Sequence, residues 1–258
     1  MTHRTFTLLG LLALAAACPD LLPRAAAREP SPTARVVKDA GKDAALGFEW
    51  EVTRVEVSGL ANPVVQRRVN TSLRAAAEAA KREMRRDLRE WAPEDRPDVD
   101  MPSSLWLHME VGLLDARLLS VSVGLSTYYA GAAHPNHAVK TLTFDLRTGA
   151  KVPVAGLFRP GALPAVAARV HRALRADPDY TYDGEYVLER VTAEHLRAVR
   201  VERDGLRFLF GSYELGPYVV GAPEVKLTFA QLEGLLATDG PLGGRAPTRG
   251  LTDAVTRR

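Results

Sequence analysis

The sequence predicts an α+β domain: a mainly antiparallel sheet with a long amphipathic helix and a second helix packed on it. Three observations lead there. Apolar residues recur at helical spacing over Val65 to Trp91. Runs rich in Val, Leu, Phe and Tyr alternate with polar residues between Ser104 and Leu146 and between Leu196 and Phe229. Most of those runs are joined by short turns, which antiparallel neighbours allow.

The chain opens with His3 and Arg4, then the apolar run Phe6 to Ala17, shorter than the roughly 20 residues of a membrane span. Ala15, Ala16 and Ala17 precede Cys18. Residues 1–18 therefore read as an export signal resembling a bacterial lipobox, in which the cysteine is lipidated. Ala15 stands where lipoboxes most often carry Leu, so plain cleavage at an A-x-A site stays open. The expectation is a protein exported to the cell envelope (its periplasmic or extracellular face), held at the membrane by a lipid where Cys18 is acylated. Cys18 is also the single cysteine, so the domain has no internal disulfide.

Residues 19–45 mix Pro, Ala, Arg and Lys without apolar period and read as a flexible tether. Residues 46–100 read as a strand and a helix. Phe48, Trp50 and Val52 alternate, and Val55 and Val57 resume one residue out of phase, as across a bulge. Asn62-Pro63 is a helix start, with Val65, Val69, Leu73, Ala76, Ala80, Met84, Leu88 and Trp91 on one face and Pro93 as the stop.

Residues 101–238 read as a C-terminal domain, with 46–100 as a companion segment before it and a boundary at residue 100. Ser104–Leu113 and Arg117–Tyr128 make a hairpin about Asp115-Ala116, and Ala138–Leu146 is a third strand before the Arg147-Thr148-Gly149 turn. Ala162–Leu174 is helical. Leu196–Val201 and Leu206–Phe210 flank the turn Arg203-Asp204-Gly205, Val225–Phe229 is the last strand, and Gln231–Leu236 a helical stub. Residues 239–258, rich in Gly, Pro, Thr and Arg, read as a disordered tail.

With 46% hydrophobic and 25% charged residues and a net charge of +3, the composition gives no argument for a nucleic-acid partner, and no cofactor is implied. Two loops concentrate amphipathic residues. One carries Tyr128, Tyr129, Gly131, His134, Asn136 and His137, the other Tyr213, Tyr218 and Gly221. Tyr and His bring contact area, and Gly and Pro let the backbone turn tightly. His134 and His137 have an H-x-x-H spacing, but Pro135 between them favours a loop surface over a metal site. An acid–base pair of His134 with Asp145 or Glu214 is conceivable, yet no G-x-S-x-G, phosphate loop or reactive cysteine accompanies it, so no catalytic residue is assigned.

In order, Tyr128 to His137, then Phe144-Asp145-Leu146-Arg147-Thr148-Gly149, then Tyr213 to Val225 resemble one family. It is the domain of unknown function that forms the extracytoplasmic part of RsiV-like, lysozyme-sensing anti-sigma factors. The strand, Asn62-Pro63 and the helix with Asn70 resemble the companion domain that precedes it. The resemblance spans Phe48 to Leu236. It implies an envelope binding module that engages a protein such as a lysozyme, or a cell-wall glycan. The sigma-binding segment and membrane span of RsiV-like proteins are not matched, so the anti-sigma role does not carry over. An envelope hydrolase acting on peptidoglycan or peptide, and a ligand-free structural lipoprotein, remain as alternatives.

Overall fold

The computed structural model describes residues 31–91, 101–178, 180, 188–237 and 239–243. The export signal, Cys18 and Pro93 lie outside them. In chain order the strands and helices are β1 (Thr33–Asp43), β2 (Phe48–Ser58), α1 (Pro63–Glu90), β3 (Ser103–Leu114), β4 (Leu118–Tyr128), β5 (Asn136–Asp145), β6 (Ala150–Lys151), α2 (Leu163–Ala176), β7 (Ala198–Val201), β8 (Gly205–Leu209) and β9 (Glu224–Thr228). The class is α+β. The first six strands form one sheet in sequential order, and the last three form a second. Every pairing is antiparallel except β2 with β3, which α1 connects. The sheet thus runs unbroken across the expected boundary at residue 100.

Helix α1 begins where capping chemistry places it. The Asn62 side chain accepts from the Val64 and Val65 amides at 2.9 and 3.4 Å, and Pro63 opens the first turn. Val65, Val69, Leu73, Ala77, Met84 and Leu88 are buried against the large sheet. Ala77 and Lys81 are the buried positions where the apolar pattern suggested Ala76 and Ala80, which are only partly buried. Lys81 is tolerated because its Nζ donates to Asp39 at 2.7 Å, pairs with Glu78 at 2.7 Å and lies over the Trp50 ring. Asn70 ties the helix to the end of β2, accepting from the Val57 amide at 2.9 Å and donating to the Val57 carbonyl at 2.8 Å.

Several expectations are corrected. The tether does not extend to residue 45, because Thr33–Asp43 pairs along its whole length with β2. That register is unbroken, so β2 has no bulge toward β1. The change of phase between Val52 and Val55 coincides instead with the end of the β3 pairing at Thr53. A register shift falls in β3 between Val111 and Leu113. There Gly112 is obligatory, since a Cβ would sit 2.5 Å from Arg200 Cγ and 2.6 Å from the Val201 carbonyl. The second helix covers the second sheet rather than the first: Val166, Val170 and Leu174 pack with Val199, Leu206, Phe208 and Leu227. Gln231–Leu236 is a run of turns ending in a bridge from Leu236 to Phe158. Of the expected disordered tail, residues 239–243 are described and packed, and 244–258 lie outside the described residues. Leu242 is 1% exposed in the second core, and Arg117 donates to the Gly243 carbonyl.

The two sheets are joined by polar groups. The Val201 amide donates to Ser120 Oγ at 2.9 Å, and the Val199 amide to Thr141 Oγ1 at 3.1 Å. Buried Arg200 donates to Ser122 Oγ and pairs with Glu110 and Glu202. Strand β7 thereby covers one end of the large sheet's second face and leaves the other end open.

Candidate functional site

Strand alternation decides what that open end presents. On β3, β4 and β5, Leu105, Leu107, Met109, Leu119, Val121, Val123 and Phe144 are buried in the cores shared with α1. The intervening residues face the other way. Pairing registers align three of them with one residue each of β1 and β2 into a single row across five strands: Ala40, Glu51, Trp106, Ser126 and His137. The next row holds Lys38, Thr53, His108, Gly124 and Val139. Trp106 is 47% exposed, although its indole is the largest apolar side chain on this face.

Two hollows flank Trp106. One, of about 460 Å³, runs over Gly124 and Val139 to Phe210 and Ala222 in the segment after β8. The other, of about 410 Å³, lies toward β1 beside Glu49 and Ser104. Both include Glu51 and Trp106, so they read as two arms of one groove.

The loop after β8 forms one rim. Its backbone is fastened to β5, because the Ser212 amide donates to the His137 carbonyl at 2.9 Å. Gly211 permits that approach, since a Cβ there would stand 2.9 Å from the same carbonyl. His134 stacks on Tyr218 at 3.8 Å between ring centroids, with an interplanar angle of 21°. His137 lies 6.2 Å from the Tyr218 ring, and Tyr213 lies 5.7 Å from it. His134 Nδ1 is 3.0 Å from the Pro135 carbonyl, which can only accept, so Nδ1 donates to it, and Nε2 lies 3.0 Å from the Tyr213 hydroxyl. Both ring nitrogens are engaged within the protein. Asp145 is held by Arg147 at the far end of β5, away from His134. Tyr213 adopts φ 67°, a left-handed backbone that costs a non-glycine residue about 1–2 kcal/mol.

The structure therefore brings together His134, His137, Tyr213 and Tyr218 from the two loops. Tyr128 stands on the groove face one row from Trp106, opposite Ser104. Gly221 ends the Tyr218–Val220 turn at φ 74°, next to groove-lining Ala222. The other expected site residues go elsewhere. Tyr129 donates to Asp87 on α1 at 2.9 Å and packs on Trp91 at 5.7 Å. Burial, with that hydrogen bond in support, pushes its phenol up to about 12. Gly131 serves the turn closed by the Ala132 amide and the Tyr129 carbonyl. Asn136 is exposed and alternates to the face opposite His137. Trp106, Glu51, His108 and Gly124 were not singled out from sequence. Their trace is the run Leu119-Ser-Val-Ser-Val-Gly-Leu-Ser126, where every second residue is small, as on a sheet face approached closely by something else.

No curated protein matches the chain. Residues 155–230, which include α2, the second sheet and the Tyr213–Gly221 rim, match the family model described as "Protein of unknown function (DUF3298)". A DUF3298 family member from Bacteroides fragilis superposes with a TM-score of 0.63 at 16% identity, covering 84% of this chain and 96% of that one. A DUF3298 family protein from Pseudomonas aeruginosa PAO1 gives 0.56 at 15%, covering 80% and 94%. At these identities the likeness is one of fold, and the chain is similar to DUF3298 proteins both across its two sheets and in the sequence of its second one.

Proposed function

We propose that the chain is an exported binding module of the cell envelope, of the RsiV-like type, whose groove holds a cell-wall glycan. The observation that carries this reading is the Ala40–Glu51–Trp106–Ser126–His137 row beneath an open groove. A half-exposed indole offers a flat apolar platform for the C–H face of a sugar ring. Around it, the Glu51 carboxylate accepts hydrogen bonds, while Ser126 and His137 can donate or accept, which matches hydroxyl-rich ligands. Four inter-strand spacings make the row about 19 Å long, enough for several linked rings.

The test is titration of the purified protein with soluble peptidoglycan fragments, read by tryptophan fluorescence. Trp106→Ala is expected to weaken binding at least tenfold with an unchanged melting temperature. Equal binding by wild type and Trp106→Ala, or no binding of any fragment, refutes the proposal. Export and anchoring belong to the same reading: a fatty-acid analogue fed to cells should label the wild type and not Cys18→Ser. Retained label on the variant would place the lipid elsewhere.

A second reading, a protein ligand such as a lysozyme, is favoured by the rim, where Val219 is 72% and Tyr213 55% exposed. Lysozyme capture lost on Tyr213→Ala and kept on Trp106→Ala would select it.

A further inference from the structure

We infer that the hollow over Gly124 is a specificity slot for the acetamido group of an N-acetylated amino sugar whose ring stacks on Trp106. The inference rests on the glycan reading above. Glycine in the middle of a strand usually marks a bulge or a close approach of another backbone. Gly112 fits that rule, and Gly205 at the start of β8 and Gly211 in the loop after it are set by the same close approach, because a Cβ on each would meet backbone oxygen within 3 Å. Gly124 does not. A Cβ there would meet a single neighbour, the His108 carbonyl, at 3.8 Å, an ordinary contact. Its register is regular on both sides, opposite His108 and Val139. Nothing within the fold requires the missing side chain, and its absence opens the groove at that point.

The slot lies one strand over and one row along from Trp106, where a substituent on a stacked ring would project. Beside Gly124 the hollow is walled by Val139 from β5 and by Phe210 and Ala222 from the loop, while the polar lining residues Glu51 and Thr53 stand on β2, two strands away. A methyl group gains from entering such a hollow, whereas an ammonium would lose its hydration there and a bare hydroxyl would leave the space unfilled. The amide of an acetamido group needs one acceptor and one donor, and the imidazoles of His108 and His137 on the lining can serve as either.

The experiment compares oligomers of N-acetylglucosamine, glucosamine and glucose of equal length and linkage on the intact protein. At least a tenfold preference for the acetylated oligomer is expected. Gly124→Val should fold with an unchanged or higher melting temperature and lose that preference. Ala222→Leu, which narrows the slot from the loop side, should do the same independently of any effect on β4. Equal affinity for all three oligomers, or a preference retained in both variants, overturns the inference while leaving the glycan reading standing. Failure of all three to bind refutes both.

Discussion

Tyr128 and Tyr129 are neighbours with opposite surroundings, because strand alternation sends one to the groove face and the end of β4 releases the other toward α1. Tyr129→Phe removes the hydrogen bond to Asp87 and is expected to cost about 0.5–1.5 kcal/mol in urea unfolding, with glycan affinity unchanged. A drop in affinity without a loss of stability would return Tyr129 to the site. The raised phenol pKa has a sign that can be checked. The folded state favours the protonated form, so the contribution is complete below the ordinary value of 10.0 and is lost as pH rises toward about 12. Stability of the wild type should fall over that window more than that of Tyr129→Phe. The loop cluster of His134, His137, Tyr213 and Tyr218 was legible because aromatics and imidazoles gathered between strands have few other uses. Trp106 was not, since an aromatic inside an alternating run reads equally well as core.

At the scale of elements, α1 could be read almost residue by residue from its cap and period, and β1 could not be read at all. Thr33–Asp43 is an edge strand, and its alternation is masked by Arg35, Lys38, Asp39 and Lys42. Charges of this kind discourage a second chain from adding to an open edge, and they also hide a strand from hydropathy. The second sheet carries a charge network centred on Glu202. Glu202 is bound by Arg200, Arg207 and Lys226 across β7, β8 and β9. Burial alone would push its carboxyl up, but hydrogen bonds from Arg207, Arg200 and Lys226 outweigh it and hold the pKa at about 2, against an ordinary 4.5. The stabilisation is therefore present above pH 4.5 and lost as pH falls toward 2, with an upper bound of about 3 kcal/mol. Acid unfolding should show this loss in the wild type. Glu202→Gln should be less stable at neutral pH and flatter through the same window; parallel curves for the two proteins would disprove the assignment.

For the molecule as a whole, the α+β class and antiparallel character followed from turn lengths, but the division into two sheets did not. The seam is written in Ser120, Ser122 and Thr141, small hydroxyl residues whose partners are backbone amides and an arginine distant in sequence. The same holds for the tail, whose Gly and Pro content concealed one buried leucine. Removing Asp239 onward, or making Leu242→Ala alone, is expected to destabilise the protein, the point variant by about 2–5 kcal/mol. A thermal midpoint unchanged by both would show that Leu242 is dispensable.

The one parallel pairing among the described strands has a kinetic consequence. Phe48 must find Ser103, and the whole of α1 lies between them. No hairpin can zip that contact together, so ordering of the large sheet waits on closing a long loop, the kind of step that slows folding. The β1–β2 and β3–β4 hairpins can form on either side of that junction before it closes, and stopped-flow refolding monitored at Trp106, next to the β2–β3 junction, would time the step that joins them.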